Sequence, residues 1–207
     1  PIMMGRDRAA WVRSLSGGGF GPRIEFNTHR VPDRYVAIDM DGDTDLDFLQ
    51  DQYGIGPSVQ FNDLRLGTGY CLDAVPNSTG AVSRTSAAGS ERVALNDVTL
   101  WVTALPTQSF GYFLVADAAS SVAMPGGSQG TLCVGGIVGR LNRGPGEIFQ
   151  ADASGTATVT LDLTDIPTPT GAAMVVPGDT RFFQAWHRDA NPAATSNFST
   201  ALRIEFR

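Results

Sequence analysis

The chain has 207 residues, including 24 Gly and 12 Pro, and its charges are lopsided: 17 Asp against 4 Glu, and 15 Arg against no Lys. Glu and Lys build exposed helix faces while Asp, Gly, Pro and Thr build turns and strands, so a mostly helical architecture is excluded. The missing lysine excludes a P-loop, a Schiff base, a kinase-type ATP lysine and a Ser-Lys pair, and a net charge of −6 argues against a nucleic-acid partner.

With 42% hydrophobic and only 17% charged residues, the chain can bury a core. Its composition describes a soluble, acidic, turn-rich β protein. No run reaches the roughly 18–20 apolar residues of a membrane-spanning helix. No charged and then apolar leader opens the chain at Pro1, which reads as a mature product or a piece of a longer one.

Residues 1–70 predict short strands around 2–4, 9–14, 23–27, 35–39, 46–50 and 58–61. Turn signals separate them, as in Gly5-Arg6-Asp7, Ser16-Gly17-Gly18-Gly19 and Tyr53-Gly54-Ile55-Gly56-Pro57. Beyond residue 70 the alternation is longer. Val98, Leu100 and Val102 alternate with Thr99, Trp101 and Thr103; Ala157, Val159, Leu161 and Leu163 alternate with Thr158, Thr160, Asp162 and Thr164; Leu202, Ile204 and Phe206 alternate with Arg203, Glu205 and Arg207. Further strands are predicted at 110–116, 131–138, 147–150 and 181–188, with turns at Leu105-Pro106, Met124-Pro125-Gly126-Gly127, Ile166-Pro167-Thr168-Pro169 and Val176-Pro177-Gly178. One buried and one wet face per strand implies an antiparallel sandwich. The expected fold is all-β, divided into residues 1–68 and 69–207.

The segment Asp39-Met40-Asp41-Gly42-Asp43-Thr44-Asp45-Leu46-Asp47 places five carboxylates at alternate positions. They would repel in any compact conformation, and a hard cation bound by oxygen ligands, Ca²⁺, removes the conflict. An EF-hand needs Gly at position six and Glu at twelve, whereas here Gly42 is fourth and Gln50 twelfth. Hydrophobic residues on both sides (Tyr35, Val36, Ile38; Leu46, Phe48, Leu49) make the segment a hairpin between two strands.

Together with Gly18-Gly19-Phe20-Gly21-Pro22, this segment resembles the FG-GAP (VCBS-type) repeat of integrin-like β-propellers. The resemblance implies that the side chains of Asp39, Asp41, Asp43 and Asp47 and the main-chain oxygen of Asp45 hold calcium. It covers about residues 1–65, barely more than one repeat, so this part is a partial blade that cannot close a propeller. Residues 71–207 are similar to a C-terminal module of secreted bacterial repeat proteins, through Tyr70-Cys71, Pro76-Asn77-Ser78-Thr79-Gly80, Leu132-Cys133, Phe183-Gln184-Ala185-Trp186 and Ser196-Asn197-Phe198. That resemblance implies no enzymatic activity.

Cys71 and Cys133 fit neither a CxxC pair nor a zinc site, since the only histidines are His29 and His187. A disulfide in a secreted chain is expected, the alternative being two buried thiols. Gly126-Gly127-Ser128-Gln129-Gly130 satisfies the GxSxG pattern, and Asp162 or Asp179 and then His187 follow in α/β-hydrolase order. However, Thr131-Leu132-Cys133-Val134 is strand-like where a helix must begin, so the segment reads as a turn. Trp101, facing away from Val98, Leu100 and Val102, is a candidate for ligand stacking or for an interface, unless a second layer covers it. Trp186 reads as core, and Asn77-Ser78-Thr79 and Asn197-Phe198-Ser199 fit the N-glycosylation pattern.

The functional expectation is a non-enzymatic, secreted, calcium-stabilised structural or cell-surface protein with no catalytic residues. Its partners would be other copies of itself or the rest of a longer chain, and Pro1, Ile2, Met3 and Met4 are the candidate donated strand of a filament. The alternative is a carbohydrate- or surface-binding module of a larger secreted enzyme, with a glycan as partner.

Overall fold

The computed structural model describes residues 66–207 except 192, and, as backbone, residues 2–4, 8–14, 20–27, 34–38, 47–52 and 56–60. The chain divides into two compact units, Pro1–Leu64 and Arg65–Arg207. Both are antiparallel β.

The first unit holds two three-stranded sheets. β1 (Ile2–Met4), β2 (Arg8–Ser14) and β3 (Phe20–Asn27) pair in chain order, with Ile2 opposite Trp11 and Trp11 opposite Ile24. β4 (Arg34–Ile38), β5 (Asp47–Gln52) and β6 (Gly56–Gln60) form the other. The β4–β5 ladder runs from Arg34 opposite Asp51 to Ile38 opposite Asp47, so residues 39–46 connect a hairpin, as the flanking apolar residues predict.

The second unit contributes β7 (Thr68–Tyr70), β8 (Arg84–Gly89), β9 (Val98–Thr103), β10 (Phe110–Ala116), β11 (Ala118–Ala123), β12 (Thr131–Gly135) and β13 (Gly139–Arg140). They are followed by β14 (Phe149–Gln150), β15 (Ala157–Thr160), β16 (Ile166–Thr168), β17 (Gly171–Ala173), β18 (Thr180–Ala190) and β19 (Ala194–Glu205). A six-stranded sheet runs β13-β10-β18-β19-β7, with β14 also on β10; a three-stranded sheet runs β15-β9-β8. β11–β12 and β16–β17 are separate hairpins.

Period-two patterning sorts these strands into layers. Val98, Leu100 and Val102 of β9, each 0% exposed, meet Phe113 and Val115 of β10, Phe183 and Ala185 of β18, and Leu202 and Ile204 of β19 in one core. Fully burying each such side chain stabilises by roughly 1.5–3 kcal/mol. The opposite face of the six-stranded sheet is partly covered by the β11–β12 hairpin, where Leu114, Ala116, Val134 and Phe198 form a second cluster. Trp186, expected in the core, packs half-buried at the margin of this second cluster.

The long predicted strands are broken where chemistry intervenes. The 131–138 strand stops at Gly135, and Gly136 turns with φ +71° before β13 begins. The 157–164 strand stops at Thr160, because the Asp162 carboxylate takes the Thr164 amide (2.9 Å) and hydroxyl (2.7 Å) in a local turn. The predicted turn at 166–169 is instead a strand through Thr168, with Pro167 opposite Ala172 in a two-stranded ladder that tolerates proline at its edge. This hairpin sits close to β13: a Cβ on Gly139 would lie 1.9 Å from the Pro167 carbonyl oxygen.

Between Gln184 and Trp186 the β18–β19 register slips: Gln184 faces Ala201 while Trp186 faces Phe198. β19 therefore carries one extra residue, a bulge. Ser199 Oγ accepts the Ala185 amide (2.9 Å) and also lies 2.8 Å from Thr85 Oγ1, while the Thr200 amide bonds the Ser83 carbonyl at 2.8 Å. The bulge thus turns Ser199 and Thr200 toward β8 while β19 stays paired with β18 on either side of it, joining the two layers through buried hydroxyls.

Candidate functional site

Of the proposed calcium ligands, Asp39, Asp41, Asp43 and Asp45 lie outside the described residues; Asp47 opens β5, at the closing pair of its hairpin. Ile2, Met3 and Met4 form β1, bonded to β2 of their own chain, and Pro1 lies outside the described residues. Among the described residues no three His, Cys, Asp or Glu side chains cluster as metal ligands, and no helix is long and apolar enough to cross a membrane.

Cys71 and Cys133 are joined in a disulfide across 62 residues, with Cα atoms 6.3 Å apart. The bridge ties the segment after β7 to the middle of β12. Tyr70 stands beside it: its hydroxyl donates to the Cys133 carbonyl (2.9 Å), its ring packs edge-on against Phe182, and burial pushes its pKa up to about 12.

The GxSxG segment forms a 3₁₀ turn at Pro125–Gly127 and runs into strand β12, as its sequence predicts. Ser128 Oγ pairs with Ser196 Oγ at 2.5 Å. His187 instead meets a serine that no motif marked. Its Nε2 lies 3.2 Å from Ser83 Oγ, and its Nδ1 lies 3.1 Å from the Arg188 carbonyl. A carbonyl only accepts, so Nδ1 carries the proton, and the single Ser83 hydroxyl proton is shared between Nε2 and the Ala104 carbonyl, which also lies 3.2 Å from Ser83 Oγ. Ser83 Oγ in turn accepts from Asn77 Nδ2 at 2.9 Å. Ser83, His187 and Asn77 are 1%, 0% and 2% exposed, which closes the pair to any substrate.

Asn197 and Asp189 extend this seam. Asn197 Nδ2 donates to the Val75 and Pro76 carbonyls and to Asp189 Oδ2, while the Ser78 amide donates to Asp189 Oδ1 at 3.0 Å. Burial lowers the His187 pKa against the opposing pull of the Arg188 carbonyl and the Asp189 charge. For Asp189, burial raises the pKa, but hydrogen bonds from Ser78, Ala190 and Asn197 outweigh it and hold the carboxyl below its ordinary value. Asn77 and Asn197, the residues of the two sequons, are thus interior hydrogen-bonding groups, and neither amide is open to a glycan.

Trp101 lies on the outer face of β9 between Thr158 of β15 and Ser86 of β8. It is half-buried, and its indole Nε1 is shielded without a hydrogen-bond partner among the described residues. A more exposed ring, Phe110, is elsewhere. Phe110, 53% exposed, Tyr112 and Trp186 share the outer face of the six-stranded sheet, with Tyr112 stacked on Trp186 at 4.9 Å between centroids. Sequence reading missed Phe110 and Tyr112; their two-residue spacing within one strand was the available signal.

A cleft of about 350 Å³ between Leu66–Thr68 and the end of β19 is lined by Glu91, Arg203, Glu205 and Arg207. These charges pair with one another, Arg207 to Glu91 at 3.2 Å and Arg203 to Glu205, so the cleft offers no unmatched charge of its own.

Comparison with family models, with curated proteins and with solved structures finds no match to this chain.

Proposed function

We propose that this chain is a non-enzymatic extracellular structural or cell-surface protein, stabilised by calcium in its first unit and assembling through strand pairing. The observation that supports this reading is the pairing of Ile38 with Asp47, which brings the ends of the acid segment together. Five aspartates compressed into one hairpin connection repel at any dielectric, and a Ca²⁺ held by Asp39, Asp41, Asp43, Asp47 and the Asp45 carbonyl relieves them. The disulfide suits an oxidising compartment, and the interior position of Ser83 and His187 is that of a structural pair.

Calorimetry with and without chelator tests the calcium site, because an ion bound only to the folded state stabilises by mass action. Chelation lowers the melting temperature and restored Ca²⁺ raises it, whereas a variant carrying Asp41→Ala and Asp43→Ala is indifferent. A wild type that holds no metal and ignores chelator overturns the reading.

A second reading, a surface-binding module of a larger secreted protein, is favoured by one observation. Exposed Phe110 shares one sheet face with Tyr112 and Trp186, both half-buried, whereas the half-buried Trp101 stands alone on its face.

A further inference from the structure

We infer that the open end of the six-stranded sheet's outer face is a docking platform for an acidic polysaccharide, one whose sugar rings carry carboxylates. The inference rests on the surface-binding reading and names its site and ligand.

The register builds the platform in rows, since directly paired residues share a face. Gln150 pairs with Phe110 across β14 and β10, and Arg188, two residues from Trp186 on β18, lies on the face that Trp186 presents. The next row is Tyr112 beside Trp186, and the next Arg140 beside Leu114. The β11–β12 hairpin covers the Leu114 side, where Leu114 is 5% exposed, and leaves the Phe110 end open at 53%.

The exposed Phe110 ring offers an apolar face of the kind that stacks on sugars, and the half-buried Tyr112 and Trp186, stacked on each other, share its side of the sheet. The polar groups around them are planar and held. Gln150 Nε2 donates to Gln108 Oε1 at 3.0 Å, and the Arg188 guanidinium sits over the Trp186 ring at 5.4 Å from its centroid. A cation held over a ring keeps its N–H donors, which can grip a carboxylate in two places.

Charge decides the class of sugar. The chain carries a net charge of −6, yet these rows hold Arg188 and Arg140, both exposed, and no carboxylate. Among the described residues neither arginine has an ion-pair partner. A local cationic, aromatic patch on an acidic protein complements an anionic ring polymer.

Size argues against a second copy as the occupant. With strands about 4.8 Å apart and successive same-face residues about 7 Å apart, the platform covers on the order of 150 Å², well short of the roughly 800 Å² per partner of a stable protein interface.

The test is affinity electrophoresis and titration calorimetry of the full chain against hyaluronan, a uronate-containing polymer, and against its methyl ester, which keeps the rings and removes the charge. Wild type binds hyaluronan and not the ester; Arg188→Gln weakens binding at least tenfold, as loss of a charge-assisted pair requires; and Phe110→Ala, at an exposed position, weakens it without altering the melting temperature. Equal binding of acid and ester, lost in Phe110→Ala, keeps the surface-binding reading and overturns the acidic class. No binding to either overturns both. Binding that ignores both substitutions places the site elsewhere, and a mass that falls to monomer in Phe110→Ala makes the patch an interface between copies; each overturns the inference.

Discussion

Ser83 Oγ and His187 Nε2 stand 3.2 Å apart inside the sandwich, in residues 1% and 0% exposed. Burial lowers the folded-state pKa of His187, so in acid the unfolded chain takes up the proton first, at the ordinary value of about 6.5. The stability contributed by the neutral imidazole is therefore whole above that pH and is lost as pH falls below it, by up to about 1.4 kcal/mol per pH unit. Asp189 adds loss in the same direction only near the lower carboxylate range, since its pKa is also depressed. Urea midpoints measured from pH 7.5 to 5 fall in wild type and fall less in His187→Asn, which is itself less stable at pH 7.5 by about 1–3 kcal/mol. His29 is common to both proteins and cancels. Parallel pH profiles would refute the assignment.

The strands that were legible in the sequence are those whose apolar residues repeat at every second position and are buried by one neighbour layer. Val98, Leu100 and Val102 are such a set, as are Leu202, Ile204 and Phe206. β8 was not legible, because Arg-Thr-Ser-Ala-Ala-Gly has no large apolar residue. Its Thr85 and Ala87 are buried by neighbours far along the chain, Thr85 by the hydroxyls of Ser199 and Thr200. The polar seam was hidden for the same reason. Ser83, Asn77 and Asn197 look like turn residues until the bulge in β19 brings them together. Of the candidate sites, the cysteine pair could be read from a count, whereas the Tyr112–Trp186 pair depends on a register that spans 74 positions and leaves no local trace.

The Cys71–Cys133 bridge predicts a large response to reduction. Closing a loop of 62 residues removes about 4 kcal/mol of chain entropy from the unfolded state, on the chain-entropy model. A variant with both cysteines changed to serine unfolds at lower urea by a comparable amount. Ultraviolet titration gives a second readout: in wild type Tyr70 resists ionisation until about pH 12, and in the variant it ionises closer to the ordinary value of about 10. Alkylatable thiols in the unreduced native protein would contradict the bridge.

Asn197, like Asn77, is an interior amide with partners on both its oxygen and its nitrogen. Its Oδ1 accepts the Phe198 amide at 2.8 Å, and its Nδ2 reaches the Val75 and Pro76 carbonyls (3.2 and 3.3 Å) and Asp189 Oδ2. Asn197→Ala strands these buried partners and costs about 3 kcal/mol in urea unfolding. Asn197→Asp keeps the shape but sets a second carboxylate against Asp189, so it costs more at pH 7 and recovers toward pH 4 as one of the pair protonates. An Asp variant as stable as wild type at neutral pH would show that the amide donates to nothing essential.

Assembly is the remaining expectation, and it turns on β1. Ile2, Met3 and Met4 form a short, apolar, uncharged strand at one end of the β1-β2-β3 sheet, and among the described residues β1 bonds only to β2. A sheet edge of this kind presents unpaired donors and acceptors, which natural proteins normally shield with charge, proline or a covering element. Pairing of that edge with a different edge of the next subunit is heterologous, so contacts propagate into a ring or a fibre. Within a longer polypeptide, further strands would occupy the edge instead, and the purified chain would then stay monomeric. Light scattering with calcium present separates the cases: the full chain gives a mass that rises with concentration, and a chain lacking residues 1–8 gives the monomer mass of 21.9 kDa less the deleted segment. Calorimetry on the truncated chain checks that the second unit still unfolds cooperatively, because its core lies wholly within Arg65–Arg207. A full-length chain that is already monomeric at micromolar concentration rules out strand-paired assembly.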